Sequence, residues 1–475
     1  MNIWSNPNRQ ALKRKRRHVI PSIEQLEDRR LLAVDINLLP RFDDLAVSNA
    51  NLEQTVAFEQ VGGDLDGEAA GDEFGHAVSL SADGAVLAVG APFNGGNGFE
   101  SGHVRVYEQK NNGWEKIGGD IVGEAADDRS GYPLTLSTDG KVLAISAYKN
   151  DGNGDNSGHV RVYRRQNDTW IQIGGDIDGE AVDDHSGSSV SLSEDGSVLA
   201  ISAQFNDGNG SSSGHVRVFR NVSDSWVRVG NDIDGENEGD NFGYSTSLSA
   251  DGRVLAIGGL LNDGSALMAG HVQVYREVNG HWIKIGSDID GEAAVDFSGW
   301  SVSLSADAQF LAVGAPYNDG NGSNSGQVRV YRQTNDDWQR VGVDLDGEAA
   351  GDYFGTSVSL NNDGSLLAIG GWKNNGNGNN SGHVQLYRQQ NNNWVQIGAD
   401  IHGEMAGDQA GYSISLSTDG SVLAIGATLN AENGTDSGHA RVYIINPNNS
   451  LELTRNSPEQ TVNLTGISAG GGESQ

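Results

Sequence analysis

The chain has 475 residues, no cysteine and a formal net charge of −33. That much negative charge is repelled by nucleic acid and by anionic lipid headgroups, so neither is expected as a partner. The lack of cysteine excludes a disulfide framework, a zinc ribbon and a thiol nucleophile. With 67 glycines against 8 prolines, many tight turns are expected, and therefore a β-rich chain.

The N-terminus opens on the basic run RQALKRKRRHV, with no apolar core behind it. The longest apolar stretch nearby, LLAV (31–34), is too short for a secretory core or a membrane span. The next segment, IEQLEDRRLLA, resembles the LEPR-xLL motif of large exported planctomycete proteins through Leu26, Glu27, Arg29, Leu31 and Leu32. Asp28 stands where that motif has proline. The resemblance implies that residues 1–34 are a targeting leader and that the protein works at the cell surface or outside the cell. Residues 35–54 read as a linker, and 447–475 as a flexible C-terminal tail.

Between them the chain repeats itself. Trp114, Trp170, Trp226, Trp282, Trp338 and Trp394 are spaced 56 residues apart, and one further step back reaches Phe58. No insertion interrupts this period. Every unit holds four strand-like runs: a (as in SVSLS), b (VLAIG), c (HVRVY) and d (WIQIG). Runs a and b are joined by Asp-Gly in six of the seven units, a pair that accommodates the positive φ angles of a tight hairpin. Four short antiparallel strands per unit, seven times over, predict an all-β, seven-bladed propeller across residues 55–446. The first d run precedes every a run, and none follows the seventh c run. The N-terminal strand is therefore expected to complete the last blade and close the ring, leaving no exposed sheet edge. Small residues on strand a suit the crowded centre of such a ring, and the tryptophans of strand d suit its wider rim.

The stretch DEFGHAVSLSADGAVLAVGAP (72–92) contains Phe74-Gly75 and Gly90-Ala91-Pro92. Phe-Gly returns at Phe242-Gly243 and Phe354-Gly355, and Gly-Ala-Pro at Gly314-Ala315-Pro316. These units resemble the FG-GAP repeats of integrin α-chain heads, which implies a seven-bladed propeller. In that family calcium lies between the two motifs. Here the interval holds only SADG, too short to cage an ion, so those ligands are not carried over.

An acid-rich loop lies instead between runs d and a, as in DLDGEAAGD (64–72). Its first, fifth and ninth positions are acidic in all seven copies and its third in five, together 26 of the 64 acidic residues. Five copies carry all four acids and are candidate calcium sites through oxygen ligands. They are Asp64, Asp66, Glu68 and Asp72; Asp176, Asp178, Glu180 and Asp184; Asp232, Asp234, Glu236 and Asp240; Asp288, Asp290, Glu292 and Asp296; and Asp344, Asp346, Glu348 and Asp352. Val122 and His402 replace the third acid in the other two copies, and histidine suits a hard ion poorly. The competing reading is a turn whose acids accept backbone N–H bonds. It gains from the Ala that usually fills the sixth position, where an EF-hand loop needs glycine.

A periodic histidine opens run c at His103, His159, His215, His271, His383 and His439, with Gln327 in the fifth unit. Glutamine replaces histidine as a hydrogen-bonding group but not as a base, so a structural role is expected. No catalytic residue is nominated, because the units stay equal in length with no inserted lid. The reading is an exported, non-catalytic, monomeric propeller. It would bind a protein or surface glycan through its Asp/Asn/Gly-rich loop face and act in adhesion. The alternative is a carbohydrate-active propeller, lectin or lyase-like, with Trp300 and Trp372 as sugar platforms.

Overall fold

The computed structural model describes residues 56–446. The basic leader with its Leu26–Leu32 motif, the linker and the C-terminal tail lie outside the described residues.

Each repeat begins its sheet with a side-chain-braced hairpin. In the turn after strand a of blade one (Ala77–Leu80), Ser81 Oγ donates to Asp83 Oδ1 at 2.7 Å and accepts from the Val86 N–H at 2.9 Å. Gly84 takes the positive φ of 67° that the tight turn requires. The chain returns as strand b (Val86–Ala91), crosses to c (His103–Lys110), and ends at d (Gly113–Lys116) on the rim. All four strands run antiparallel to their neighbours. The same a-b-c-d order holds in all seven sheets.

A fifth, two-residue strand escapes sequence reading because it is too short to show a period. In blade one it is Ile121–Val122, inside the acidic loop, and it folds back onto the start of strand c, setting Val122 opposite His103. Every acidic loop therefore starts in one blade and ends in the next.

The apolar core lies between blades. Val86, Ala88, Val104, Val106, Ile117 and Ile121 of blade one pack on Leu134, Leu136, Leu143, Ile145 and Tyr163 of blade two. Strand b, sandwiched on both faces, is buried or nearly so along its whole length in every blade. The rim tryptophans also bridge blades: Trp114, Trp226 and Trp282 each donate Nε1–H to the carbonyl of the residue 53 positions earlier, on the preceding blade.

Around the channel the blades are bonded directly. The Ala82 N–H donates to Thr138 O, Thr138 to Glu194, Glu194 to Ala250, Ala250 to Ala306, Ala306 to Asn362, Asn362 to Thr418, and Thr418 back to Ala82, all at 2.8–3.0 Å. Beside this ring, strand-a serines accept a backbone N–H from the next blade, as in Leu136 N–H to Ser79 Oγ at 3.0 Å and Leu80 N–H to Ser415 Oγ at 3.0 Å.

The outer strand of blade seven is Ala57–Gln60, paired antiparallel with His439–Asn446 so that Ala57 faces Asn446 and Gln60 faces Tyr443. Val56 and Val61 flank it, 5% and 6% exposed, and Phe58 packs on the core shared by blades six and seven. Deleting residues 1–62 should cost at least about 3 kcal/mol, the burial of two valines alone. Deleting only 1–40 should leave the melting temperature unchanged. Thermal denaturation of both truncations checks this, and equal melting of the two would reject the closing role.

Candidate functional site

The face that collects the d–a and b–c connections has an outer belt of charge and an inner ring of aromatics. In the belt, the ninth-position aspartate turns inward. Asp184, 3% exposed, accepts from the Ala181 N–H at 2.9 Å and from Asn206 Nδ2 of the b–c loop at 3.1 Å. The bond from asparagine recurs in the other six copies. These aspartates pin the two long loops together.

The remaining acids turn to strands c and d. The fifth-position glutamates meet the third residue of strand c: Glu124 with Arg161 at 3.3 Å, Glu180 with Arg217 at 3.5 Å, Glu292 with Arg329 at 3.6 Å, and Glu68 with Arg105. Where that residue is Gln273 or Gln385, its amide donates to Glu236 at 2.8 Å or Glu348 at 3.1 Å. The first-position aspartates pair four residues back along the chain, as in Lys116 to Asp120 and Arg340 to Asp344, at 2.9 and 2.7 Å. Although burial works against it, hydrogen bonds from Arg105 and Lys116 hold the Asp120 carboxyl at about 2. The third-position residue stands opposite the histidine of strand c, for example Asp178 opposite His159 and Asp290 opposite His271.

The four acids of one copy, considered above as a calcium cage, are thus held on separate partners. Among the described residues, no group of three or more candidate metal ligands contains two acids of the same loop. Four of the five groups that form among the described residues join a histidine to carboxylates of successive loops, such as Glu124, His159 and Asp176; the fifth is His383, Asp400 and His402. On this geometry the loop acids are bracing groups. Millimolar calcium should leave the melting temperature of the metal-stripped protein unchanged, and a calorimetric titration showing about five sites would overturn that assignment.

The histidines are buried, 0–2% exposed, and several sit edge-on to the Phe-Gly phenylalanine, as His103 does to Phe74 at 6.4 Å. The glycine of that motif is required: Gly75 has φ 91°, and a Cβ there would strike the His439 carbonyl. Burial, reinforced by Arg217 and Arg441, pushes His215 and His439 down to about 4. A histidine whose folded pKa lies below its unfolded value of about 6.5 stabilises the fold at neutral pH, and loses that contribution as pH falls from 6.5 towards 4. Relative to the wild type, His215→Gln, which uses the residue blade five already has, should therefore gain stability between pH 7 and 4.5. Melting curves of both proteins at the two pH values measure it.

Nearer the axis, half-buried aromatics form a rosette at the channel mouth. His76 contacts Tyr132 at 4.5 Å and Tyr412 at 4.7 Å; Tyr132 contacts Tyr148 at 4.7 Å. On the far side Tyr244 contacts Trp300 at 4.9 Å, Tyr317 contacts Tyr353 at 5.0 Å, and Trp372 contacts both Tyr353 and Tyr412 at 5.8 Å. Burial raises Tyr132, Tyr244 and Tyr412, so their hydroxyls stay protonated donors, and lowers His76 to about 4, keeping it neutral.

The rosette has a gap. In the innermost column blades two and four have Tyr132 and Tyr244, but blade three has Ser188. A pocket of about 340 Å³ opens there, lined by Tyr132, Tyr148, Lys149, His185, Ser188, Gln204, Phe205 and Tyr244. Sequence reading placed Trp300 and Trp372 as platforms but missed the rest. The available signal was the columns that differ between copies of an otherwise uniform repeat, among them 76-132-188-244 and 93-149-205-261.

The model of the FG-GAP repeat family matches three stretches, residues 65–107, 288–331 and 344–387. The chain carries FG-GAP repeats. The Phe-Gly pair of the first stretch is the one whose ring meets His103 and whose glycine lies against the His439 carbonyl. No curated protein matches the chain. Among solved structures it is similar to a protein of Bacteroides uniformis described as a candidate 6-phosphogluconolactonase, with 13% identity, 70% of this chain and 86% of that chain covered, and a TM-score of 0.50. It is also similar to a periplasmic gluconolactonase of Pseudomonas aeruginosa, with 17% identity, 69% and 85% covered, and a TM-score of 0.46. At these identities the likeness is one of fold and brings no lactonase residues with it.

Proposed function

We propose that this FG-GAP propeller is a non-catalytic binding module that works at the cell surface or outside the cell, in adhesion. Its ligand would be a glycan taken at the channel mouth of the acidic loop face. The observation that carries the reading is the pocket at Ser188, one of two positions, with Thr356, where the innermost aromatic column is interrupted. Pockets for small ligands run to about 300–1,000 Å³ and combine apolar walls with a few polar groups. This one offers Tyr132, Phe205 and Tyr244 as flat apolar faces for the C–H side of a pyranose. Lys149, Gln204 and the tyrosine hydroxyls supply donors for its hydroxyls, and Ser188, whose O–H is given to the His185 carbonyl, an acceptor. The carboxylate belt beyond the rosette favours a neutral or cationic glycan over an acidic one. A binding role needs no general acid–base pair, and no carboxylate lines the pocket among the described residues.

A glycan array probed with the full chain tests this. Ser188→Tyr, which restores the residue of blades two and four, should remove at least about tenfold in affinity for the sugars bound, while melting within a few degrees of the wild type. Binding untouched by that substitution, or no glycan bound at all, would reject the site. Hydrolysis of a bound glycan would favour the carbohydrate-active enzyme instead.

A further inference from the structure

Blade six departs from the belt in one place. In blades one, two, three, five and seven the third residue of strand c is an arginine (Arg105, Arg161, Arg217, Arg329 and Arg441), whose guanidinium lies among the carboxylates around the histidine slot. Blade four has Gln273 there, but Lys284 bridges Glu236 and Asp288. Blade six has neither cation: Gln385 replaces the arginine and Gln396 replaces the lysine. It also has a second imidazole, because the third loop position is His402 and the fifth strand sets it directly opposite His383.

We propose that blade six holds a single divalent transition ion of the zinc class between His383, Asp400 and His402, with solvent in a fourth position. One ligand atom from each of the three lies within 4.8 Å of the others. The His383 Nδ1 to Asp400 Oδ2 separation is 3.4 Å. A tetrahedral ion with bonds of about 2.0–2.1 Å spaces its ligands by about 3.3 Å. The two rings lie nearly parallel, with centroids 6.1 Å apart.

The independent evidence is an unpartnered buried imidazole. His383 is 0% exposed, yet neither of its ring nitrogens has a hydrogen-bond partner; His439 of blade seven shares this but has Arg441 beside it, and only in blade six is a facing imidazole nitrogen, the Nδ1 of His402, also buried without a partner. Leaving such groups unmade is costly, and an ion supplies the missing partner. Asp400 is already oriented for the task. Gln396 donates to its Oδ1 at 2.6 Å and Gln385 to both oxygens at 3.2 Å, the outer bonds that fix a ligating carboxylate. Two imidazoles with one carboxylate suit a borderline ion and not calcium or magnesium. Asp400 and His402 are partly exposed, the Asp400 side chain by 14%, which leaves an entry path.

The test uses the untagged full chain stripped by chelator, titrated with zinc in a calorimeter and with cobalt followed by visible absorption. One zinc per chain is expected, with the intense cobalt absorption of a tetrahedral site. Two substitutions draw on residues the fold already uses at these positions: His383→Gln copies blade five, and His402→Asp copies five other loops. Each should weaken zinc by at least about tenfold, whereas His271→Gln in blade four should not. Failure of the wild type to take up zinc, a weak octahedral cobalt spectrum, or wild-type zinc affinity in both substituted proteins overturns the proposal.

Discussion

Seven backbone hydrogen bonds close on themselves around the channel, from Ala82 through Thr138, Glu194, Ala250, Ala306, Asn362 and Thr418 back to Ala82. Donor and acceptor in each bond occupy the same position of successive repeats, so every blade presents the same geometry to both neighbours. At about 1 kcal/mol each the bonds themselves contribute modestly. Their consequence is one of register. With strand a tied to its neighbour at the centre, strand b must pack between blades.

From that register the belt follows. Each acidic loop begins as a fifth strand on one blade and ends at strand a of the next, so its charges fall on two blades and are answered there. Arg161 meets Glu124, and Asp184 joins its own backbone to Asn206. Much of the chain's surplus of carboxylates is thereby built into bonds that hold adjacent loops. The inner ring has the opposite character. There the copies differ, each side chain over the channel mouth finding its own partners. Tyrosine, histidine, tryptophan, serine and threonine alternate in the column that starts at His76, and one serine opens a pocket.

The fold was legible because it is written seven times: the tryptophan spacing, the Asp-Gly hairpins and the stray first d run together specify the blades, their number and the pairing of Phe58 with the strand ending at Asn446. The site was less legible, for a physical reason. Acids at the first, third, fifth and ninth positions suggest one loop around one ion, whereas the two-residue strand at Ile177–Asp178 turns alternate side chains to different neighbours. That strand is too short to leave a hydrophobic period. The rosette was missed because its residues share no type, only a column. His402 was readable as a departure from aspartate, but its meeting with His383 depends on the pairing of that same short strand.

The shared construction of blade seven has a bearing on synthesis. Its rim strand, Ala57–Gln60, is among the first described segments to leave the ribosome, and its partner, His439–Asn446, is the last. Pairings that join distant segments form slowly, since the chain between them must be ordered first. Until translation passes Asn446 the growing propeller is an open arc with a bare strand at either end, the kind of edge that recruits other chains. The molecule becomes sealed only as a whole, in a single late event that the first six blades cannot perform among themselves.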